Sequence, residues 1–191
     1  SDILREQDFS VYEPLDLRVQ SGASEGVPDE IVAAVASCLA EWVAEQTRAC
    51  VRPAMVADIP ILLPLLEELG RPHADLADAR VADVYRQHIA DPDRLVLVAE
   101  LGGRIVGALD GAYRTRLNWP TRELWIADLV VTESARGLDI GRALMDDAIT
   151  RARQAGCHCL ALESGHSRQV AHQLYRSLGF EDRGVYLVLD L

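Results

Sequence analysis

The chain has 191 residues, of which 49% are apolar, with 19 basic side chains against 30 acidic ones for a net charge of −11. That composition describes one ordinary globular domain with an appendage and excludes the disordered and fibrous classes. The negative field repels phosphate backbones, so it argues against a nucleic-acid partner and favours a cationic one, such as an amine.

All 19 basic residues are Arg, and the sequence contains no Lys. A P-loop nucleotide site and a Schiff-base enzyme both require a Lys, so both are excluded. Cys38, Cys50, Cys157 and Cys159 match no zinc or CxxC spacing and read as core thiols in a reducing cytoplasm. No window approaches the ~18 apolar residues of a membrane span, and no secretion signal opens the chain. The expectation is a cytoplasmic protein with no membrane partner and no metal.

Residues 1–26 are polar and read as an irregular arm. Pro28, Asp29 and Glu30 open a helix whose Ile31, Val32, Val35, Leu39, Trp42 and Val43 form one apolar stripe. Residues 1–48 hold ten acidic and three basic side chains, a net −7 of the total −11. This gives an acidic arm and amphipathic helix over 1–48, with a homodimer through the stripe as one expectation, and a main domain over 49–191.

In the main domain, Val51–Met55 reads as a strand, and Asp58 as the cap of a helix that turns Ile61, Leu62, Leu65 and Leu66 inward. A second helix is expected over Ala77–Ala90. Leu95–Leu101 and Arg104–Arg114 read as a hairpin turning at Gly102-Gly103, and the mostly apolar Glu123–Thr132 as a central strand. Helix Gly137–Ala155, strand Cys157–Glu163, helix Arg168–Leu178 and a closing strand Val185–Leu191 complete the pattern. A hairpin followed by β-α-β-α-β implies an α/β (α+β) domain, a mixed sheet with helices on both faces.

The stretch Arg136-Gly137-Leu138-Asp139-Ile140-Gly141-Arg142 lies between the central strand and a helix start. Unpaired helix-start amides, glycines and two arginines suit an anion such as a pyrophosphate, although a tight connection has the same outline. The segments LVVTESARGLDIGRALM and AHQLYRSLGF together resemble the GNAT superfamily of acyl-CoA-dependent N-acetyltransferases, over about residues 50–191. The family's Gln/Arg-x-x-Gly-x-Gly/Ala signature falls on Arg136 through Gly141. Its AxxLYxxxGF pattern falls on Ala171, Leu174, Tyr175, Gly179 and Phe180.

The resemblance implies a centrally splayed sheet that holds the pantetheine arm of acetyl-CoA. Amides of Leu129, Val130 and Val131 would bind that arm and the thioester carbonyl. Arg136, Gly137, Leu138, Asp139, Ile140, Gly141 and Arg142 would receive the pyrophosphate. The implied reaction is direct attack of a neutral primary amine on acetyl-CoA, with Tyr175 as general acid toward the leaving thiolate.

Three positions depart from the family pattern. Asp139 stands at the family's middle glycine, where it either caps the helix outward or repels the cofactor. Arg168 replaces a frequent Asn and is a candidate for a CoA phosphate. Ala127 takes the place of a frequent Glu, so the usual base is missing; Asp128, which alternation turns to the opposite face, Glu163, Glu123 and ordered water are the alternatives. The histidines are His73, His88, His158, His166 and His172. His166 and His172, six apart and flanking the last helix, lack the spacing of a helical metal pair and read as surface or capping residues, with substrate contact as the alternative. Tyr113, Trp119 and Trp125 either wall an acceptor pocket or pack the core. Two function classes therefore stand: an N-acetyltransferase acting on a small cationic amine, and a non-catalytic acyl-CoA-sensing or protein-interaction module with a degenerate site.

Overall fold

The computed structural model describes residues 27–47, 49–72 and 74–184, together with 187 and 189, and gives the backbone alone for 41–47. The expected arm over 1–26 lies outside the described residues, as does most of the expected closing strand Val185–Leu191. Two compact units are distinguished, Ser1–Ala40 and Glu41–Leu191. The helix α1 spans Asp29–Thr47, with Asp29 and Glu30 in its first turn, where carboxylates suit the dipole.

The second unit is built on one five-stranded sheet in sequential order: β1 (Cys50–Pro53), β2 (Arg94–Leu101), β3 (Arg104–Arg114), β4 (Glu123–Val131) and β5 (Cys159–Leu162). The first four strands run antiparallel, and β5 joins β4 in parallel, so the sheet is mixed. Gly102 and Gly103, at φ 55° and 75°, turn the β2–β3 hairpin as a Gly-Gly pair should.

Helices cover both faces. On one side α4 (Ile140–Gln154) buries Ile140, Leu144, Met145 and Ala148 against Leu97, Leu109, Leu124 and Ile126. Leu144 and Met145 are fully buried, and each such side chain contributes about 2 kcal/mol. On the other side α2 (Ile59–Glu68) sets Leu62 and Leu65 against Val98, Ala108 and Val130. The remaining helices are α3 (Ala79–Ala90), capped by the Asp78 side chain, and α5 (Gln169–Ser177). Gly107 of β3 lies where α4 crosses: a Cβ there would stand 3.0 Å from the Val130 carbonyl oxygen and 3.1 Å from Ile140 Cγ2.

Two local expectations need correction. Asp58 closes a short 3₁₀ turn, Val56–Asp58, and makes no side-chain cap to α2. Its carboxylate instead accepts from the Met55 amide at 2.7 Å and, in a fork, from Arg52 at 2.7 and 3.0 Å. Arg52 also reaches Glu100 at 2.6 Å, so one guanidinium ties β1, β2 and the entry to α2 together. Ile61 faces outward at 47% exposure, and Leu63 takes the buried place.

Candidate active site

The site begins with a strand that loses its neighbour. β4 pairs with β5 from Glu123 to Ile126, and among the described residues Ala127–Val131 have no partner on that side. On its other side β4 stays in register with β3, Leu129 opposite Leu109, Val130 opposite Ala108 and Val131 opposite Gly107. The Thr132 amide donates to the Val106 carbonyl at 2.9 Å. Antiparallel ladders alternate, so the polar groups of Val130 are turned to β3 and those of Leu129 and Val131 to the gap. Arg136 Nε, which donates to the Val131 carbonyl at 3.3 Å from outside the ladder, agrees with that assignment. Of the three residues expected to meet a ligand through their amides, Leu129 and Val131 present them and Val130 does not.

Below the gap stands the N-terminus of α4. The expected helix start at Gly137 is displaced to Ile140 because Gly137 (φ 81°) and Asp139 (φ 55°) both enter the left-handed region. Ala143 is the first residue to return a bond, to the Asp139 carbonyl at 3.0 Å. The amides of Ile140, Gly141 and Arg142 therefore open the helix without an intrahelical acceptor. Gly141 leaves room for α5, since a Cβ would meet Leu174 Cδ2 at 3.3 Å.

Asp139 is the sole non-glycine at positive φ among the described residues, and its exposed side chain makes no cap. The outward capping role expected of it is not realised. Left-handed backbone costs an L-residue roughly 1–2 kcal/mol, less for Asp than for most, and glycine removes that cost while adding chain entropy. Asp139→Gly should therefore stabilise the fold by about 0.5–1 kcal/mol in denaturant titrations, and a loss of stability would contradict the strain.

The other expected cofactor cations are engaged in helix contacts. Arg142 donates to Ser177 Oγ at 2.6 Å, joining α4 to the end of α5. Arg168 donates to the Leu69 carbonyl at 3.0 Å, joining α5 to the turn after α2 rather than reaching the α4 loop. Tyr175 of α5 packs against the core, with its ring 5.8 Å from that of Phe180. Burial pushes its phenol above the ordinary value of 10.0, and Arg168 opposes that shift. The hydroxyl is thus kept protonated through neutral pH.

The face of β3 and β4 under α2 and α3 carries two carboxylates, Asp110 and Asp128. Asp110 and Asp128 are direct cross-strand neighbours, an arrangement that like charges disfavour. Each has a partner from above: Arg71, in the turn after α2, donates to Asp128 Oδ1 at 2.9 and 2.6 Å, and His88 Nε2 of α3 lies 2.9 Å from Asp110 Oδ1. A bulge leaves Ala127 without a partner, so Ile126 and Leu129 share the α4 face while Asp128 stays beside Asp110. Strict alternation along β4, assumed from sequence, fails at that point.

Glu163 lies exposed in the turn leaving β5. In that same turn the Ser164 hydroxyl is buried without a partner, a feature that no sequence pattern flagged. Glu123 is excluded as a base at the gap: it is 3% exposed, bound to Arg116 at 3.0 Å, and sits at the far end of β4. Tyr113, Trp119 and Trp125 also gather there, with Trp119 stacked on His158 and Arg114 over the Trp125 ring. Tyr113 pairs with Leu124, five residues or ~17 Å along β4 from Leu129, and so stands away from the gap, whereas Trp125 pairs with Ala112, two residues from Asp110. Glu123, His158 and Cys159 bring ligand-type atoms within 4.8 Å of one another, but Arg116 already neutralises the carboxylate.

Comparisons with known proteins agree with this geometry. The family model described as "Acetyltransferase (GNAT) family" matches residues 62–180. An IAA acetyltransferase of Azospirillum brasilense is 35% identical over 126 residues, covering 65% of this chain and 80% of that one. N-acetyltransferase 8 of Rattus norvegicus is 31% identical over 104 residues, covering 54% of this chain and 47% of its own length. The chain thus spans most of the first relative and about half of the second. Among solved structures, an acetyltransferase of Trypanosoma brucei superposes with a TM-score of 0.62 at 27% identity, covering 75% of this chain and 100% of that one. The open β4 edge above a glycine-bearing helix start, the mixed sheet and these matches place one conclusion beyond the fold: the chain belongs to the acetyltransferase (GNAT) family.

Proposed function

We propose that this chain moves an acetyl group from acetyl-CoA to a primary amine by direct attack. The observation that carries the reading is the β4 edge, open at Leu129 and Val131 and ending at the unpaired amides of α4. Fixed backbone donors in a gap suit an extended amide-bearing arm, and an amide aimed at a thioester oxygen stabilises the oxyanion formed on attack. The loop Arg136–Arg142 suits a pyrophosphate through its amides and left-handed Gly137, with Arg136 as the nearest cation. Arg142 and Arg168 serve this site through the packing of α5, given their bonds to Ser177 and Leu69.

The amine nitrogen bonds to the acetyl carbon, the C–S bond breaks, and the thiolate takes the Tyr175 proton. An ordinary phenol donating to an ordinary thiolate is uphill by about 2 kcal/mol, and the burial that raises the Tyr175 phenol adds to that cost, which a positioned acid tolerates. Asp128 and Glu163 are the carboxylates available on the acceptor side, Asp128 already held by Arg71. The Asp110–Asp128 face favours a small cationic amine as acceptor, and a reducing cytoplasm suits the four free thiols. Among the described residues no helix is long and apolar enough to cross a membrane.

The test is thiol release from acetyl-CoA over a panel of amines. Amine-dependent turnover is expected, strongest for small cations. A panel in which no amine raises release above hydrolysis would favour a non-catalytic acyl-CoA-binding module, the reading that Asp139 in the loop supports.

A further inference from the structure

We propose that His88, oriented by Asp110, is the base that takes the proton from the acceptor ammonium. The inference rests on the acetyltransferase reading above and supplies the group that Ala127 leaves missing from β4. The Nε2–Asp110 Oδ1 contact of 2.9 Å makes Nε2 the donor toward the carboxylate and leaves Nδ1 with a free lone pair. Both side chains are partly open, His88 at 30% and Asp110 at 22% exposure, so an incoming amine has access to them. Asp110 sits across from Asp128 on the strand pair that carries the open Leu129 amide one residue further along β4. With Asp128 held by Arg71, Asp110 is the carboxylate of this pair left to draw an ammonium.

The alternatives are weaker bases. An ordinary imidazole lies about two pH units closer to an alkylammonium than an ordinary carboxylate does. Asp128 is further committed, since one of its oxygens takes two bonds from Arg71. In the step, R–NH₃⁺ gives one proton to Nδ1 and becomes the neutral nucleophile. Its nitrogen then bonds to the acetyl carbon, sulfur leaves with the C–S electron pair and takes the Tyr175 proton, and the second proton shed by the amide nitrogen returns through solvent to the Tyr175 phenolate. His88 returns to neutrality by releasing its proton to water. Other charges on the elements packed with α3 are already paired: Asp83 with Arg86 on α3 itself, and Asp58 and Glu100 with Arg52. Arg80 and Tyr85 on α3 and Arg94 at the start of β2 belong to the same surrounding.

The experiment compares the full chain and His88→Gln by thiol release at neutral pH, using 1,4-diaminobutane and the weakly basic 2,2,2-trifluoroethylamine. With the diamine, kcat should fall about 100-fold while KM for acetyl-CoA is unchanged. With trifluoroethylamine, already unprotonated, the two proteins should agree within about 3-fold, because no proton has to be removed before attack. Asp110→Asn should reproduce the same acceptor dependence with a smaller loss, roughly 10-fold. Equal losses on both amines, or none on either, would overturn the proposal, the first by making His88 purely structural. If the wild type binds acetyl-CoA but acetylates neither amine, this face is not an amine site and the proposal falls while the cofactor reading stands. If acetyl-CoA does not bind at all, the acetyltransferase reading itself has failed.

Discussion

Tyr175→Phe should lower kcat about 100-fold or more, with little change in stability or in KM for acetyl-CoA. The substitution keeps the ring that packs against Phe180 and the core, and removes only the hydroxyl. Burial holds the phenol above its ordinary 10.0, so the wild type keeps the proton at every pH from 6 to 9. Activity that depends on this acid should therefore decline only above that range, as the proton is lost. The Phe variant should lack that alkaline limb. A variant with full kcat and the same limb would return Tyr175 to the helix-packing role that its neighbours alone explain.

Asp58→Ala should destabilise the fold by about 2 kcal/mol at neutral pH. Asp58 is 6% exposed and receives three bonds, two from Arg52 and one from the Met55 amide. Arg52 keeps Glu100 after the substitution and is itself partly solvated, which holds the cost below that of a fully buried orphan charge. The Arg52 guanidinium lowers the Asp58 carboxyl below its ordinary value of 3.8, against a desolvation that raises it. A depressed folded-state value means stability that is present above 3.8 and fades as pH falls through the folded value. Denaturant curves of wild type and variant should thus differ at pH 7 and converge toward pH 3. A constant difference across that range would show that the Asp58 contribution is not ionic.

Much of the fold could be read from local chemistry. The Gly102-Gly103 turn joins two apolar runs, and the β2–β3 hairpin follows directly from that punctuation. The loop Arg136–Arg142 was legible for a related reason: glycine spacing announces unusual backbone. Its start was misread by three residues because Asp139 adopts a left-handed φ that only glycine advertises. Asp58 was misread because a helix cap and an Arg fork place the same residue at the same position, and the competing partner, Arg52, lies six residues upstream.

The acceptor side was the least legible. Asp110 and Asp128 become neighbours through strand register, and His88 and Arg71 reach them from 22 and 57 positions away. The bulge at Ala127, which puts Asp128 beside Asp110, has no glycine or proline on β4 to mark it; Gly111 stands across from it on β3. A charged residue inside the apolar run of β3 was the available signal, since an Asp in a central strand requires a partner.

The most direct measurement is calorimetric titration of acetyl-CoA into the full chain and into Asp139→Gly. A micromolar, one-to-one isotherm for the wild type is expected, tightened several-fold in the glycine variant as a carboxylate leaves the pyrophosphate loop. Absence of binding by both proteins would contradict the assignment of the β4 gap and the α4 N-terminus as an acyl-CoA site.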